Sequence, residues 1–325
     1  MTKKHYSIIG SLLTLILIVP FYLYLPIQVG GQRPGNVPML VLYAGFLAFT
    51  ASVLIVFALI FINKPDYIKQ QLATLTRFKY LLALMVKRDF VTRYRRSVLG
   101  ILWSILNPLF TMIILSMVFS FMFRIEVPNF PLFVLSGQLI FNFFSESTNN
   151  AMLSVVGNGP IIKKIYVPKY VFPISRVVSS LVNVGFSLIA FVIVFIFTQQ
   201  EFTWTVLLVP IPIIYTFLFA MGVGMFLSSL MVFFRDIGHI YGVLITLWMF
   251  LSAIMYPPEI LPPRVFHLIH FNPMFQYIGY FRDLTLHGVV PGLWTNIICI
   301  GFALAALCAG LFTMMSQQDK YILYL

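Results

Sequence analysis

The highest density of charge in this sequence lies at residues 87–96, where KRDFVTRYRR holds five basic side chains and one acid. Only 9% of the whole chain is charged. Guanidinium groups hold phosphate oxygens through paired, charge-assisted hydrogen bonds, and basic residues beside a membrane attract anionic headgroups. The cluster therefore predicts a contact with anionic lipid, or a border with a protein partner or an anionic substrate.

Few other residues offer chemistry. His267 and His270 stand three residues apart, which gives two metal ligands without a third nearby. Cys299 and Cys308 are nine residues apart, so in one helix they point to opposite sides and form neither a disulfide nor a metal site. No GxxxxGK(S/T) loop, the backbone cradle for nucleotide phosphates, occurs in the 325 residues. We predict no catalytic residue, no metal site and no cofactor bound by this chain.

The composition places these residues in a membrane. Of the 325 residues, 60% are hydrophobic, 34 are Phe and only 9 are Asp or Glu, whereas about a quarter of the residues of a soluble domain are charged. The net charge of +12 is therefore attributed to basic residues in the loops of a membrane protein, and no nucleic-acid partner is expected. We predict an all-α polytopic membrane protein.

Apolar runs mark the membrane spans, because a hydrocarbon core of about 30 Å needs about 20 helical residues. Such runs occupy residues 7–27, 38–62, 99–123, 131–156, 174–198, 205–233, 240–256 and 290–315. The first is expected to be a retained anchor rather than a cleaved signal, because no small-residue cleavage pattern follows it.

The fourth run is unusually polar. It carries Glu146 together with several amide and hydroxyl side chains, so it is expected to face protein or a water-filled path rather than lipid. A carboxylate at membrane depth is a candidate functional group. Two alternatives stay open for Glu146, namely that its carboxyl group is protonated and that it forms a hydrogen bond with Asn149 or Asn150.

The basic residues predict the orientation. All but four of the 21 Lys and Arg fall on one side of the membrane, and this positive-inside bias predicts that both termini and the basic cluster are cytoplasmic. From residue 75 onward, apolar side chains recur on one side of a helical wheel, while Arg77, Arg88 and Arg95 fall on the other. Arg93 and Arg96 interrupt the pattern near its end. The pattern predicts an amphipathic helix that lies along the inner leaflet.

Four segments from residue 85 onward resemble a known family. In order, they are MVKRDF followed by LGILWSILNPL, then GNGPIIKKIYVPKYVFPISRV, then MVFFRDIGHI, then MYPPEILP with FNPMFQYIGYFRDLTLHG. Together they are similar to the membrane (permease) subunit of type 2 ABC exporters of polysaccharides and polyol phosphates, which serve O-antigen, capsule and teichoic acid export. The resemblance covers about residues 75–325. It implies a six-span core at 99–325 after an interfacial helix at 66–98, while two additional transmembrane helices at 1–65 depart from the family pattern.

The partners follow from the resemblance alone. Two copies of the membrane subunit are expected to pair with two copies of a separate ABC ATPase, which binds ATP and Mg. A polymer carried on a lipid, either a polysaccharide or a polyol phosphate, is expected to pass between the two copies. This places the chain in the cytoplasmic membrane of a bacterium, in contact with membrane lipids, as a transport permease rather than an enzyme.

The resemblance also assigns roles at the inner face. A loop after the fourth run would insert apolar side chains into a groove of the ATPase, with lysines at the rim. This coupling set is Ile161, Ile162, Lys163, Lys164, Ile165 and Tyr166, with Arg235 and Asp236 as a second contact. The interfacial helix and substrate entry would use Arg77, Arg88, Arg93, Arg95 and Arg96. The alternatives are an ordinary positive-inside loop and a local cap with an ion pair.

The substrate path needs aromatic faces and hydrogen-bonding groups that suit sugars or glycerol phosphates. The candidates are Trp103, Asn107, Phe110, Phe141, Asn142, Phe144, Ser145, Glu146 and Tyr256. Aromatic side chains in membrane helices more often face lipid. The Pro-rich segment 257–288 has apolar stretches too short to cross, so it is expected to form two short re-entrant helices that close the path from outside. Its gate residues are Asn272, Pro273, Arg282 and Asp283.

Three alternatives to a polysaccharide exporter stay open. A type 2 exporter of a drug or a small lipid shares the six-span plan. A polytopic transferase acting on lipid-linked sugars should show clustered Asp, Glu or His, and an ion-driven flippase should show several buried ionisable groups. Only Glu146 is an acid within the predicted spans. The sequence also leaves open whether the polymer is an O-antigen or capsule of a Gram-negative host or a teichoic acid or wall polysaccharide of a Gram-positive host.

Overall fold

The structure is a computed structural model that describes residues 78–94, 100–119, 127–165, 167–262, 265–266 and 269–325. The spans expected at 7–27 and 38–62 lie outside the described residues, as do Arg77, Arg95, Arg96, Tyr166 and His267. The described part of the chain contains helices and no strand.

The helices have the following bounds. α1 is Lys79–Tyr94, α2 is Leu102–Met117, α3 is Phe130–Gly157, α4 is Gly159–Lys164, α5 is Val171–Phe197, α6 is Pro210–Phe233, α7 is Ile237–Phe250, α8 is Pro273–Arg282, α9 is Leu293–Gln317 and α10 is Tyr321–Tyr324. A 3-10 turn at Trp204–Leu208 precedes α6, another lies at Pro258–Ile260, and a π-helical turn at Asp283–His287 follows α8.

Three of the described helices are long and apolar enough to cross a membrane, namely Val171–Phe197, Trp204–Phe233 and Leu293–Gln317. α2 and α7 are shorter apolar helices of 16 and 14 residues. α3 has 28 residues, which is the length of a spanning helix, but it is more polar than the other three. Each of the six runs expected within residues 99–325 overlaps one of these helices.

Proline residues set two helix starts. α5 begins at Val171 and holds Pro173 in its first turn, where the missing N–H costs no hydrogen bond because the first N–H groups of a helix have no acceptor within it. The start expected at residue 174 is therefore too late. Pro210 likewise begins α6, so the run expected at 205–233 divides into a 3-10 turn and an α-helix.

The central core forms where α6 packs against both α3 and α9. Phe144 of α3 stacks on Phe219 of α6 with ring centroids 5.3 Å apart. α6 and α9 meet at Gly222 and Gly310, where a Cβ atom added at Gly222 would overlap the backbone of Ala306. Small residues allow this backbone-to-backbone approach of two membrane helices.

One end of the helix bundle collects cations and has a hydrophobic cluster of its own. We call it the basic end, and it carries Lys163, Lys164, Arg235 and Lys320. The basic-end cluster has as its buried members Met85, Val155, Ile162, Val167, Tyr170, Val171, Phe172, Met225, Val232, Met314 and Tyr321. Because α3, α5, α6 and α9 contribute to the same cluster, α1, α4 and α10 are held on these long helices by shared apolar packing.

The opposite end is organised by two polar residues. Arg282, the last residue of α8, donates hydrogen bonds of 3.0 to 3.1 Å to the backbone oxygens of Phe133, Ala253 and Ile254. Its guanidinium carbon lies 3.5 Å from the centroid of the Phe133 ring. Asn272 caps the start of α8 with its side-chain oxygen. These contacts fix α8 to the start of α3 and to the turn after α7.

α7 ends before residue 256, where the sequence predicts its end. After Phe250 the chain turns, and Ala253 has a left-handed φ of 48°. The side-chain amide of Asn272 donates to the backbone oxygen of Leu251 at 3.0 Å, and Arg282 donates to that of Ala253. In a continued helix these backbone oxygens would accept hydrogen bonds from N–H groups of the same helix. Here the two distant side chains supply the donors, so the helix ends without leaving these backbone oxygens unpaired.

Candidate functional site

A chain of hydrogen bonds joins α1 to three other helices. Arg93 of α1 forms an ion pair with Glu146 of α3, with Nη1 2.5 Å from Oε1. Glu146 also accepts a hydrogen bond of 2.6 Å from the side-chain amide of Asn183 in α5. Tyr94 donates to Asn183 at 2.9 Å and shares a hydrogen bond of 2.6 Å with Ser104 of α2. The acid of α3 therefore sits at the centre of a network that involves α1, α2, α3 and α5.

The partners of Glu146 correct an expectation from the sequence. In place of Asn149 or Asn150, the carboxylate binds Arg93 and Asn183. A guanidinium forms a stronger, charge-assisted hydrogen bond to a carboxylate than an amide does. One is within reach because α1 packs on α5, which in turn packs on α3. Burial alone would lower the pKa of Arg93, but attraction by Glu146 and their hydrogen bond raise it overall. Arg93 therefore stays charged at physiological pH.

A second ion-pair group lies one turn earlier on α1. Asp89 is 2.8 Å from Arg176 of α5 and 3.3 Å from Arg88, and it accepts a hydrogen bond of 3.3 Å from Ser179 of α5. Met85 of the same helix is buried in the basic-end cluster. α1 is thus attached to α3 and α5 by ion pairs as well as by apolar packing.

The two groups border an open cleft with a volume of about 580 Å³. We call it the arginine cleft, and its lining consists of Arg88, Asp89, Thr92, Arg93, Asn150, Gly157, Asn158, Arg176 and Ser179. Guanidinium groups outnumber carboxylates in this lining, and its hydroxyl and amide side chains add further hydrogen-bond donors. A guanidinium group can donate two parallel hydrogen bonds to the oxygens of one phosphate, so the cleft suits a phosphorylated ligand.

Among the members that sequence reasoning missed are three on α5, namely Arg176, Ser179 and Asn183. A signal for them was present. They stand at i, i+3 and i+7 of an otherwise apolar run, which places them on one face of α5. A polar face on a spanning helix indicates a protein contact or a cavity rather than lipid.

α4 presents most of the expected coupling residues at the surface of the basic end. Ile161 and Ile165 are exposed, and so are Lys163 and Lys164 between them. Ile162 differs, because it is 4% exposed and belongs to the basic-end cluster. It holds α4 in place and is not available to a partner. The turn between α6 and α7 exposes Arg235 and Asp236, and the Asp236 side chain makes no capping hydrogen bond to α7.

The candidate path residues of α2 share one exposed face. Trp103, Asn107 and Phe110 are spaced by four and three residues, which aligns them along the helix. Ile114 and Met117 continue the same exposed stripe. We call these five residues the α2 stripe.

The candidate path residues of α3 divide between core and surface. Phe141 is 3% exposed and packs with Phe144 in the central core, so in this conformation it does not border an open path. Asn142, between them in sequence, is exposed. Tyr256 donates a hydrogen bond of 2.6 Å to the backbone oxygen of Phe250 and thereby supports the turn after α7.

The expected gate residues lie at both ends of α8. Asn272 caps the helix and Pro273 is its first residue. Arg282 is buried and bound to backbone oxygens, whereas the Asp283 side chain forms a surface hydrogen bond with His287 at 3.0 Å. Arg282 and Asp283 are adjacent in sequence but have separate partners.

Comparison with known proteins identifies the family. Residues 80–286 match the family described as ABC-2 type transporter. The chain is 30% identical over 247 residues to the O-antigen export system permease protein RfbA of Klebsiella pneumoniae, which covers 75% of this chain and 95% of that protein. It is 33% identical over 183 residues to the RfbA protein of Myxococcus xanthus, covering 56% and 70%. It is 23% identical over 252 residues to the polysialic acid transport protein KpsM of Escherichia coli, covering 72% and 92%. The resemblance read from the sequence is confirmed, and the chain belongs to the ABC-2 type transporter family.

Proposed function

We propose that this chain is the membrane subunit of an ATP-driven exporter, which moves a lipid-linked cell-surface polysaccharide across the cytoplasmic membrane of a bacterium. The observation that carries the proposal is the extent of the similarity, which spans 95% of the O-antigen permease of Klebsiella pneumoniae. The family match at residues 80–286 includes α1, the arginine cleft, α4 and α8. The basic end is proposed to face the cytoplasm, because positive charge is retained on that side.

The relatives favour a polysaccharide among the possible substrates. The names of two of them describe export of O-antigen and transport of polysialic acid, which are both sugar polymers. A sugar polymer is therefore preferred here to a drug, a small lipid or a teichoic acid. Membership of a transporter family also removes the reason to consider a transferase or an ion-driven flippase.

A second copy of the chain is proposed to complete the path. The α2 stripe is largely apolar and exposed, yet Asn107 lies in its middle. An amide facing hydrocarbon is unfavourable, so the stripe is better placed against another protein surface or a polymer than against lipid. Two copies that face each other through this stripe would offer aromatic rings and an amide to a passing sugar chain.

The arginine cleft is proposed as the entry site for the anionic head of the lipid carrier. Lipid-linked sugars are joined to their carriers through phosphate groups, which match the guanidinium groups of Arg88, Arg93 and Arg176 in charge and geometry. The cleft also ends at Gly157 and Asn158, directly before α4. A ligand in the cleft would therefore lie beside the helix through which the ATPase is proposed to act.

A separate ATPase is proposed to bind ATP and Mg, because the 325 residues contain no phosphate-binding loop. We expect a tagged wild-type protein, extracted from its native membrane in mild detergent, to retain a P-loop ATPase. The variant with Lys163→Glu and Lys164→Glu should recover about tenfold less of it, because two reversed charges at a contact rim oppose a complementary partner. Quantitative mass spectrometry of the purified complexes measures the ratio.

The matched control for this experiment is Lys163→Arg with Lys164→Arg, which keeps both charges and should retain the ATPase. Wild-type preparations that contain no P-loop ATPase would contradict the proposed function itself. Equal recovery of the ATPase from the Glu and Arg variants would show that the two lysines of α4 do not contribute to the ATPase contact.

Reversal of one charge in the arginine cleft tests the role of its ion pair. Arg93→Glu should lower surface polysaccharide about tenfold in cells that depend on this chain, because two carboxylates would then face each other where α1 meets α3. The pair is partly exposed, so the amount of folded protein should change little. The doubly exchanged variant, Arg93→Glu with Glu146→Arg, should restore part of the export. Normal export by the single variant would show that the pair is dispensable.

A further inference from the structure

The short helix α10 packs directly on the elements proposed to contact the ATPase. Tyr321 is fully buried, and its hydroxyl group lies 2.6 Å from the Ser229 hydroxyl group of α6. The ring of Tyr324 meets the Phe233 ring edge-on, with centroids 5.0 Å apart. At α4, a Cβ atom added to Gly159 would be 3.7 Å from the Leu325 side chain. Residues 321–325 therefore lie against both the end of α6 and the start of α4.

The outward side of the same elements is unusually apolar. Six large apolar side chains are between 37% and 83% exposed there, namely Ile161, Ile165, Phe234, Ile322, Leu323 and Tyr324. Inward-facing neighbours of these residues, such as Ile162 and Tyr321, belong to the basic-end cluster. The six exposed residues therefore cover the outer surface of one continuous packed unit.

This surface lies beyond the hydrocarbon core of the membrane. It lies at the ends of three long helices, α3, α6 and α9. These helices have 28, 24 and 25 residues. At about 1.5 Å per residue these helices are about 36 Å or longer, whereas the hydrocarbon core is about 30 Å thick. Between α9 and α10 the chain also passes through Gln318, Asp319 and Lys320. A patch of large apolar side chains placed in water marks a site of protein contact.

We propose that Ile322, Leu323 and Tyr324 form part of the docking surface for the ATPase subunit, continuous with Ile161 and Ile165 of α4. The proposal rests on the proposed function, since it needs the same partner. Around the surface the cations Lys163, Lys164, Arg235 and Lys320 outnumber the exposed acids Asp236 and Asp319. The net positive rim complements an acidic groove border on that partner. Tyr321 and Leu325 are positioning residues, which hold α10 beside α4 through their contacts with α6 and Gly159.

Site-specific photo-crosslinking tests the proposal. The photoreactive residue p-benzoylphenylalanine is introduced in place of Leu323, of Ile161, or of Ile260, one at a time, in the full chain within its native membrane. Ile260 is a matched control, because it is an exposed isoleucine in the segment between α7 and α8. Irradiation should attach the ATPase to the probes at positions 323 and 161, with about tenfold less at position 260.

Each outcome has a distinct meaning. Crosslinking of the ATPase at both 161 and 323 supports the proposal. Crosslinking at 161 but not at 323, or only lipid adducts at 323, overturns the docking role of α10 and leaves the proposed function intact. If no position attaches an ATPase and none copurifies with the wild type, the proposed function fails and this inference fails with it.

A substitution gives an independent measurement. Leu323→Asp should reduce copurified ATPase about tenfold, since an exposed leucine that becomes buried on docking is replaced by a charge that must lose its water. Ile260→Asp introduces the same charge at the control position and should leave the recovery unchanged. Full recovery with Leu323→Asp would contradict the proposal even if the crosslink formed.

Discussion

Arg282→Ala is expected to lower the free energy of unfolding by about 3 kcal/mol or more, since a buried polar group left without a partner costs about 1–3 kcal/mol. The arginine binds the backbone oxygens of Phe133, Ala253 and Ile254, and the last two lie in a turn where no helix would pair them. Its guanidinium group also covers the Phe133 ring. Alanine would leave these backbone oxygens unpaired and open a cavity between α8, α3 and the turn.

The apparent Tm in mild detergent, followed by size-exclusion chromatography after heating, measures this loss. The Arg282→Ala protein should melt roughly 5–10 °C below the wild type. Arg282→Lys should be intermediate, because an ammonium group keeps the charge but does not span oxygens from two separate segments. Asp283→Ala, which changes an adjacent residue whose side chain makes a surface contact with His287, is the control and should stay within about 1 °C. A wild-type Tm for Arg282→Ala would mean that water replaces the guanidinium group.

Gly222→Ala should prevent the normal packing of α6 on α9. The added Cβ atom would overlap the backbone carbon of Ala306, far inside the 3.4 Å at which ordinary contact begins. The obstacle is backbone on both helices, so no side-chain rotation relieves it. Overpacking against side chains costs about 1–3 kcal/mol, and displacement of a whole helix costs more. Little folded protein should be recovered in detergent, and Gly310→Ala should behave alike, because its Cβ would overlap the backbone oxygen of Gly222.

Gly185 supplies the control for this prediction. It lies within α5 and has no atom within 4 Å of an added Cβ. Gly185→Ala should be neutral or stabilising by up to about 1 kcal/mol, since alanine is the better helix former. Normal recovery of Gly222→Ala by size-exclusion chromatography would show that α6 and α9 are further apart in the membrane than their described contact.

The sequence predicts the family and the approximate positions of six apolar helices, α2, α3, α5, α6, α7 and α9, because both depend on local information. Each apolar run overlaps its helix, although α2 and α7 are shorter than their runs, and the four quoted segments keep their order along the chain. The buried side of α1 is predictable for the same reason, since Phe78, Leu82, Met85 and Val86 recur at helical spacing and Met85 is buried. The two additional transmembrane helices expected at residues 1–65 stay a prediction.

The end of α7 shows what local patterns do not contain. Its apolar run continues to residue 256, yet the helix stops at Phe250. The reason is the presence of donors from residues that follow much later, Asn272 and Arg282, which bind the backbone oxygens of the turn. The sequence near residue 250 therefore does not predict where the helix ends.

The site around Glu146 shows the same limit. The sequence identifies the acid as unusual but assigns it neighbours from its own helix. Its partners, Arg93 and Asn183, lie 53 and 37 residues away and meet it only after α5 has packed on α3 and α1 on α5. Residue types predict that an acid within a membrane span needs a partner, whereas the choice of partner is decided by tertiary packing.

The polarity of α3 has a consequence for how this protein is made. α3 carries Glu146 and many amide and hydroxyl side chains, and unlike α5, α6 and α9 it is not apolar enough to count among the clear spans. A helix leaving the insertion machinery alone would expose those groups to lipid at a cost of about 2.5–3.5 kcal/mol for a central acid. Its main neighbours α5 and α6 follow it in the chain, and Asn183 on α5 supplies one partner of the acid. We therefore expect α3 to be retained at the translocon until α5 and α6 have been synthesised. The three helices would then enter the bilayer together.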